Sequence, residues 1–130
     1  MGAVEKAIGL AHQTARRLTG KTIIYKRDAK QVSLAATIGQ TLFERADDYG
    51  AIVQYQSRDF LIPAATLILP GLGSAPVLPQ AGDQIYETVG DRTFIHEVTA
   101  PGAEPAWRYA DPFRNTLRVH TKQIEIVTES

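Results

Sequence analysis

Apolar residues recur at two different periods along the chain, and the switch between them falls at Gly20. Before it, Val4, Ile8, Ala11, Ala15 and Leu18 are spaced by three and four, which gathers side chains on one face of a helix. This predicts a helix over 3–19. Glu5 near its start and Arg16 and Arg17 near its end suit the helix dipole, and Gly20 is a natural stop. Gly9 weakens the middle by about 1 kcal/mol relative to Ala. A helix this short is marginal alone, so its apolar stripe must pack on its own domain or on a neighbouring subunit.

After Gly20 the texture is that of short strands. Thr22–Lys26 is rich in β-branched and aromatic residues; Val32–Ile38 alternates, with Val32, Leu34, Ala36 and Ile38 on one side, and Gly39 ends it. Thr41–Arg45 is a third candidate, and Asp47, Asp48 and Gly50 mark a turn, two adjacent Asp before Gly being turn formers. Ile52–Tyr55 and Asp59–Ile62 are predicted on either side of a polar Gln56–Ser57–Arg58 break, with Pro63 confining the second to an edge or an end. Ala64–Leu69 is apolar, and its period fits helix or strand. Pro70–Gln80 is a loop with three prolines and two glycines. Gln84–Val89 and Arg92–Val98 flank Gly90–Asp91, a hairpin signal. A second loop at 99–106 precedes Trp107–Tyr109 and Thr116–Val127, where Leu117, Val119, Ile124 and Ile126 are the inward candidates. The whole predicts a mainly β chain: a small antiparallel β-barrel or sandwich with an N-terminal α-helix and long loops. It is a single domain over 1–130 with its body at 21–127.

Composition narrows the partners. At 130 residues, 44% hydrophobic and 22% charged, the chain is an average globular domain. Fourteen basic residues balance fourteen acidic ones, so non-specific grip on nucleic acid, which draws on excess positive charge, is not the default. The absence of cysteine rules out disulfides, thiolate zinc sites and cysteine nucleophiles. No apolar run approaches the ~18–20 residues of a membrane span, and the acidic, non-basic start is not a secretory signal, which points to the cytosol.

Candidate chemistry is sparse. Of His12, His96 and His120, none has a partner at metal-ligand spacing. His96 and Glu97 are neighbours in a strand and point to opposite faces, although the fold could bring His96 to His120. Ser33, Ser57, Ser74 and Ser130 lack a nucleophile elbow, and Gly71–Leu72–Gly73 lacks the Gly-Lys-Ser/Thr ending of a phosphate loop. No catalytic residue, cofactor or metal site is assigned. The segment Trp107–Lys122 interleaves Trp107, Tyr109 and Phe113 with Arg108, Arg114, Arg118, His120 and Lys122. That mixture suits single-stranded nucleic acid, an oligomer interface, or a core strand with aromatic anchors.

Taken in order, Arg58–Ala65 (RDFLIPAA), the P-x-x-G-D-x-I turn at Pro79–Ile85, the hairpin Gln84–Val98 and the ending Trp107–Lys122 give the chain a likeness over roughly 40–125. It resembles the head–tail joining proteins of tailed bacteriophages, the head-completion or stopper components of the neck. The resemblance implies a compact β-barrel and a ring of six or twelve copies between portal or adaptor and tail or tail terminator. Double-stranded DNA would pass through without sequence recognition. The expected place is the virion neck, after assembly in the host cytoplasm and with no membrane involved. No catalytic residue carries over. Pro70, Leu72, Pro76 and Leu78 in the loop, with Trp107, Tyr109, Phe113, Arg114 and Arg118, are the expected interface and docking residues. Other readings are another minor tail or tail-terminator component, a small β-barrel that binds single-stranded nucleic acid, and an enzyme using His96 or His120.

Overall fold

The computed structural model describes residues 20–101 and 104–128; the predicted helix over 3–19 and His12 lie outside them. Seven strands follow in order: β1 Gly20–Arg27, β2 Lys30–Ala46, β3 Ile52–Pro63, β4 Gln84–Val89, β5 Arg92–Val98, β6 Trp107–Tyr109 and β7 Thr116–Thr128, with a single 3-10 turn at Ala64–Thr66 after β3. The sheet order is β3-β2-β1-β4-β5-β7, and β7 returns to pair with β3. That pairing, Arg58↔Thr121 through Pro63↔Thr116, closes a six-strand antiparallel barrel and decides against a sandwich. Short β6 lies on β7 at Leu117–Val119, on the edge that β5 occupies further along.

Strand periodicity places the core. Ile23 and Tyr25, Leu34 and Ala36, Phe60 and Ile62, Ile85, Val98, Leu117 and Val119 alternate inward along their strands and are buried. Burying each large aliphatic side chain contributes about 1.5–3 kcal/mol.

Two elements are longer than their sequence suggests. Val32–Ile38 and Thr41–Arg45 form one strand: Gly39 pairs with Asp59 inside the β2–β3 ladder. A Cβ on Gly39 would meet Leu61 Cδ1 at 3.1 Å and the Arg118 guanidinium at 3.3 Å, so glycine serves close packing there and does not end the strand. Likewise Gln56–Ser57–Arg58 does not break β3. Ser57 and Arg58 stay in the strand because buried carboxylates take up their polar groups. Pro63 is the last residue of its strand, as proline's missing N–H requires. In β7, Leu117 and Val119 are buried, but Ile124 and Ile126 are 43% and 47% exposed. Pairing jumps from His96↔Gln123 to Ile95↔Glu125, leaving Ile124 as an extra residue. Beyond Thr121, β7 has also parted from β3, so Ile126 has no opposite wall to pack on.

The barrel therefore has two unlike ends. At the floor, residues 64–83 fold back under the strands: Leu67 and Leu69 are fully buried in the core, and the Val77 N–H donates to the Leu67 carbonyl. At the mouth, β1 begins, the β4–β5 turn closes over Gly90 (φ +62) and Asp91, and the β2–β3 hairpin projects past the barrel. Its tip is fixed by the Asp47 carboxylate, which accepts N–H bonds from Tyr49 and Ala51.

Leu69→Ala should lower unfolding free energy by about 2–5 kcal/mol, like any core leucine, whereas exposed Leu72→Ala should change it by about 0.5 kcal/mol or less. Equal shifts in urea midpoint for the two would contradict the plugged floor.

Candidate functional site

Three buried carboxylates organise the polar groups of this barrel. At the mouth, Glu87 on β4 faces inward and is 2% exposed. It accepts hydrogen bonds from Lys21 Nζ (2.8 Å), Arg58 Nε and Nη2 (2.9 and 2.6 Å) and His96 Nε2 (2.9 Å). Burial alone would raise its pKa, but the bonds and charges of Arg58 and Lys21 outweigh it and hold the carboxyl down at about 2. Burial pushes the His96 imidazolium the other way, so its pKa lies below the ordinary 6.5, partly opposed by Glu87. An ionised Glu87 can only accept, so the His96 proton is on Nε2 and Nδ1 is a lone pair; Nδ1 is buried with no partner. Arg58, Glu87, Val89, Phe94, His96 and Gln123 line a cleft of about 250 Å³ at this mouth.

On the outer face, Asp59 is fully buried beneath the side chains around it. Oδ1 accepts from Ser57 Oγ (2.5 Å) and meets His120 Nδ1 at 2.9 Å; Oδ2 accepts from Arg118 Nε (2.8 Å) and from Thr41 Oγ1. Burial raises the Asp59 pKa, and the bonds from Ser57, Thr41 and His120 overcome that, leaving it below its usual value. The edge of Phe43 packs against His120.

At the floor, Asp83 gives the P-x-x-G-D-x-I turn its physical meaning. Gly82 takes φ +97, a conformation that favours glycine, and Asp83 turns inward. Its carboxylate accepts from Tyr25 Oη (2.5 Å), from Arg27 Nε and Nη2, and from the Gln80 N–H (3.0 Å). Burial and the Asp83 carboxylate both push the Tyr25 phenol far above its ordinary value. Arg27 Nη2 also donates to the Leu78 carbonyl, so one ion pair clamps the end of the long loop to β1.

The expected docking residues divide by exposure. Pro70, Leu72, Pro76 and Leu78 are on the outside of the clamped loop, and Phe113 is 81% exposed. Arg114, in a left-handed conformation (φ +60), is exposed and lies over the Tyr109 ring at 5.6 Å. Trp107 and Tyr109 are half-buried against the core and meet edge to face. Arg118 is committed to Asp59 and to the Gln40 carbonyl. The structure thus draws Arg118 away from the aromatic residues that the sequence interleaves with it, while Arg114 stays on Tyr109.

Among known families, that of the phage head-tail joining proteins matches residues 1–128. The chain belongs to this family. No curated protein matches it.

Family membership makes the joining protein a structural component of the virion that interacts with head and tail. Of the two described histidines, His96 pairs with Glu87 and His120 with Asp59, and each lines a cleft rather than standing apart from carboxylates; the two are not brought together, since His96 faces inward and His120 outward. Ser57 lies 3.5 Å from His120, but from Nδ1, the same nitrogen that faces Asp59. A relay needs serine and acid on opposite ring nitrogens. No group of three or more His, Cys, Asp or Glu among the described residues could hold a metal ion, and no helix among them is long and apolar enough to cross a membrane. Sequence reasoning missed the importance of Glu87, Asp59 and Asp83. The available signals were that Asp59 and Glu87 lie within strand-like runs and that Asp83 follows the glycine of the turn before one.

The joining protein should lose stability in acid in two stages. His96 has a folded pKa below 6.5, so the unfolded chain binds its proton first and stability falls as pH drops below about 6.5. Glu87, at about 2 folded against its ordinary 4.5, contributes about 3 kcal/mol above pH ~4.5 that disappears between there and pH ~2. Urea titrations across pH should show both falls. Glu87→Gln should shrink the lower one to the share carried by Asp59, whose pKa is also held down, and cost about 3–5 kcal/mol at neutral pH by leaving Arg58 and Lys21 unpaired. An unchanged pH profile in that variant would refute the assignment.

Proposed function

We propose that the chain is a neck component that assembles with copies of itself, as a ring of six or twelve, between the portal or adaptor and the tail or tail terminator. Double-stranded DNA passes through the ring without sequence recognition. The observation that carries this reading is a rigid floor with apolar groups turned outward. The loop 70–80 is clamped by Asp83, Arg27 and buried Leu69, yet Leu72 and Leu78 are 42% and 48% exposed, and Phe113 stands out at the same end. Exposed apolar side chains on a preorganised frame favour docking, because little ordering entropy is lost on binding. Prolines at 70, 76 and 79 add to that stiffness.

Balanced charge suits a channel component, since a strongly basic wall would trap sliding DNA. The single-strand-binding reading is weakened by the commitment of Arg118 to Asp59 and by the packing of Trp107 and Tyr109 against the core. Assembly is placed in the host cytoplasm and function in the virion neck. Which component of the neck or tail this is depends on the docking partner.

Light scattering behind a sizing column, across concentration and with portal and tail proteins added, should give discrete rings or defined complexes. Leu72→Asp with Phe113→Asp should weaken partner binding at least tenfold while leaving the circular dichroism spectrum unchanged. A chain that stays monomeric with every partner present would overturn the proposal.

A further inference from the structure

Closure of the barrel leaves two strand edges open at the mouth. β3 and β7 pair from Pro63↔Thr116 to Arg58↔Thr121 and no further. Beyond that ladder β3 pairs only with β2 among the described strands, and β7 only with β5. Residues 52–57 and 122–128 therefore each turn one row of backbone N–H and C=O groups toward no described strand. The extra residue at Ile124 accounts for the parting, because a bulge bends its strand out of line. Such edges are templates for strands of other chains, and proteins usually blunt them with charge or proline. The β3 edge carries neither: Ile52 to Ser57 reads IVQYQS. Apolar side chains accompany both edges, with Ile52 70% exposed and Ile126 and Val127 47% and 43% exposed.

The β3 edge is also held ready. It belongs to the β2–β3 arm, whose strand runs from Ser57 to Ile52 past the closing ladder, about 20 Å at ~3.3 Å per residue. Asp47 fixes the tip by accepting from the Tyr49 and Ala51 N–H groups, and Gln54 Nε2 donates across the arm to Glu44 Oε1 at 2.8 Å. An arm already ordered loses little entropy on docking. We propose that the β3 edge of one copy, residues 52–57, adds antiparallel to the β7 edge of a second copy, residues 122–128. The occupant is a second copy because the same two strands already pair one step further along. The neighbour's arm extends the ladder of Arg58–Pro63 with Thr116–Thr121 that each chain begins and leaves unfinished, the logic of domain swapping. Each copy offers one edge of each kind, so the contact is head-to-tail, the type from which rings are built. The inference rests on the self-assembly proposed above and names the surfaces that carry it.

Amide hydrogen exchange on the full-length chain tests this, compared between dilute monomer and the assembled state identified by light scattering, with portal and tail proteins added where assembly needs them. Residues 52–57 and 122–128 should exchange quickly in the monomer and slow by about tenfold or more on assembly. The chain has no cysteine, so a second readout is free of background. Gln54→Cys chain mixed with Glu125→Cys or Ile126→Cys chain, the positions just past the bulge, should give a disulfide between the two variants on mild oxidation. Assembly with neither edge protected and no such disulfide would overturn strand addition while leaving self-assembly standing. Edges already protected in the dilute monomer would overturn it as well, by showing that the chain covers them itself. A chain that stays monomeric at every concentration and with every partner would overturn both readings together.

Discussion

The ladder from Arg58↔Thr121 to Pro63↔Thr116 turns a seven-strand sheet into a barrel, and most other features follow from its short length. Closure satisfies the backbone groups that would otherwise be sheet edges, and it brings Phe60, Ile62, Leu117 and Val119 together from opposite ends of the strand order to fill the core. Because the ladder stops at Thr121, the strands beyond it splay. The same constraint that makes the core therefore also makes the mouth.

Around that ladder the protein places its charges where strand register leaves room for them. Glu87, Asp59 and Asp83 are each nearly or fully buried, and each has at least one arginine and several other donors. A buried carboxylate is costly unless paired and fully hydrogen-bonded. Two are satisfied by residues from several strands, Lys21, Arg58 and His96 on Glu87 and Thr41, Ser57, Arg118 and His120 on Asp59; Asp83 is held by Tyr25 and Arg27, both of β1. Their effect is to fix which strands meet and in what register, and the Asp83 cluster extends this to the long floor loop. Such a scaffold suits a structural component of the virion.

Much of the strand order's raw material was legible along the chain. The hairpin at Gly90–Asp91, the Asp47–Gly50 turn, the Pro63 strand end and the inward Leu117 and Val119 all follow from local rules of turn chemistry, proline geometry and period-two burial. What misled was polarity read as interruption. Gly39 and Gln56–Ser57–Arg58 look like breaks because a sequence does not show the partner that lets a polar or missing side chain remain in a strand. Those partners are Arg118 lying across Gly39, Asp59 holding Ser57, and Glu87 holding Arg58.

By itself, the sequence determined the mainly β class, the loop positions, the lack of cysteine chemistry and the likeness to joining proteins, because each of these is written in residues close together along the chain. Only the tertiary structure decided barrel over sandwich, the carboxylate partners of His96 and His120, the separation of Arg118 from Trp107 and Phe113, and the difference between plugged floor and open mouth. The reason is physical. These depend on contacts between residues far apart in sequence, Thr41 with Asp59 and Arg118, Arg27 with Asp83, Phe60 with Val119, and a side chain's local pattern does not encode which distant group will satisfy it.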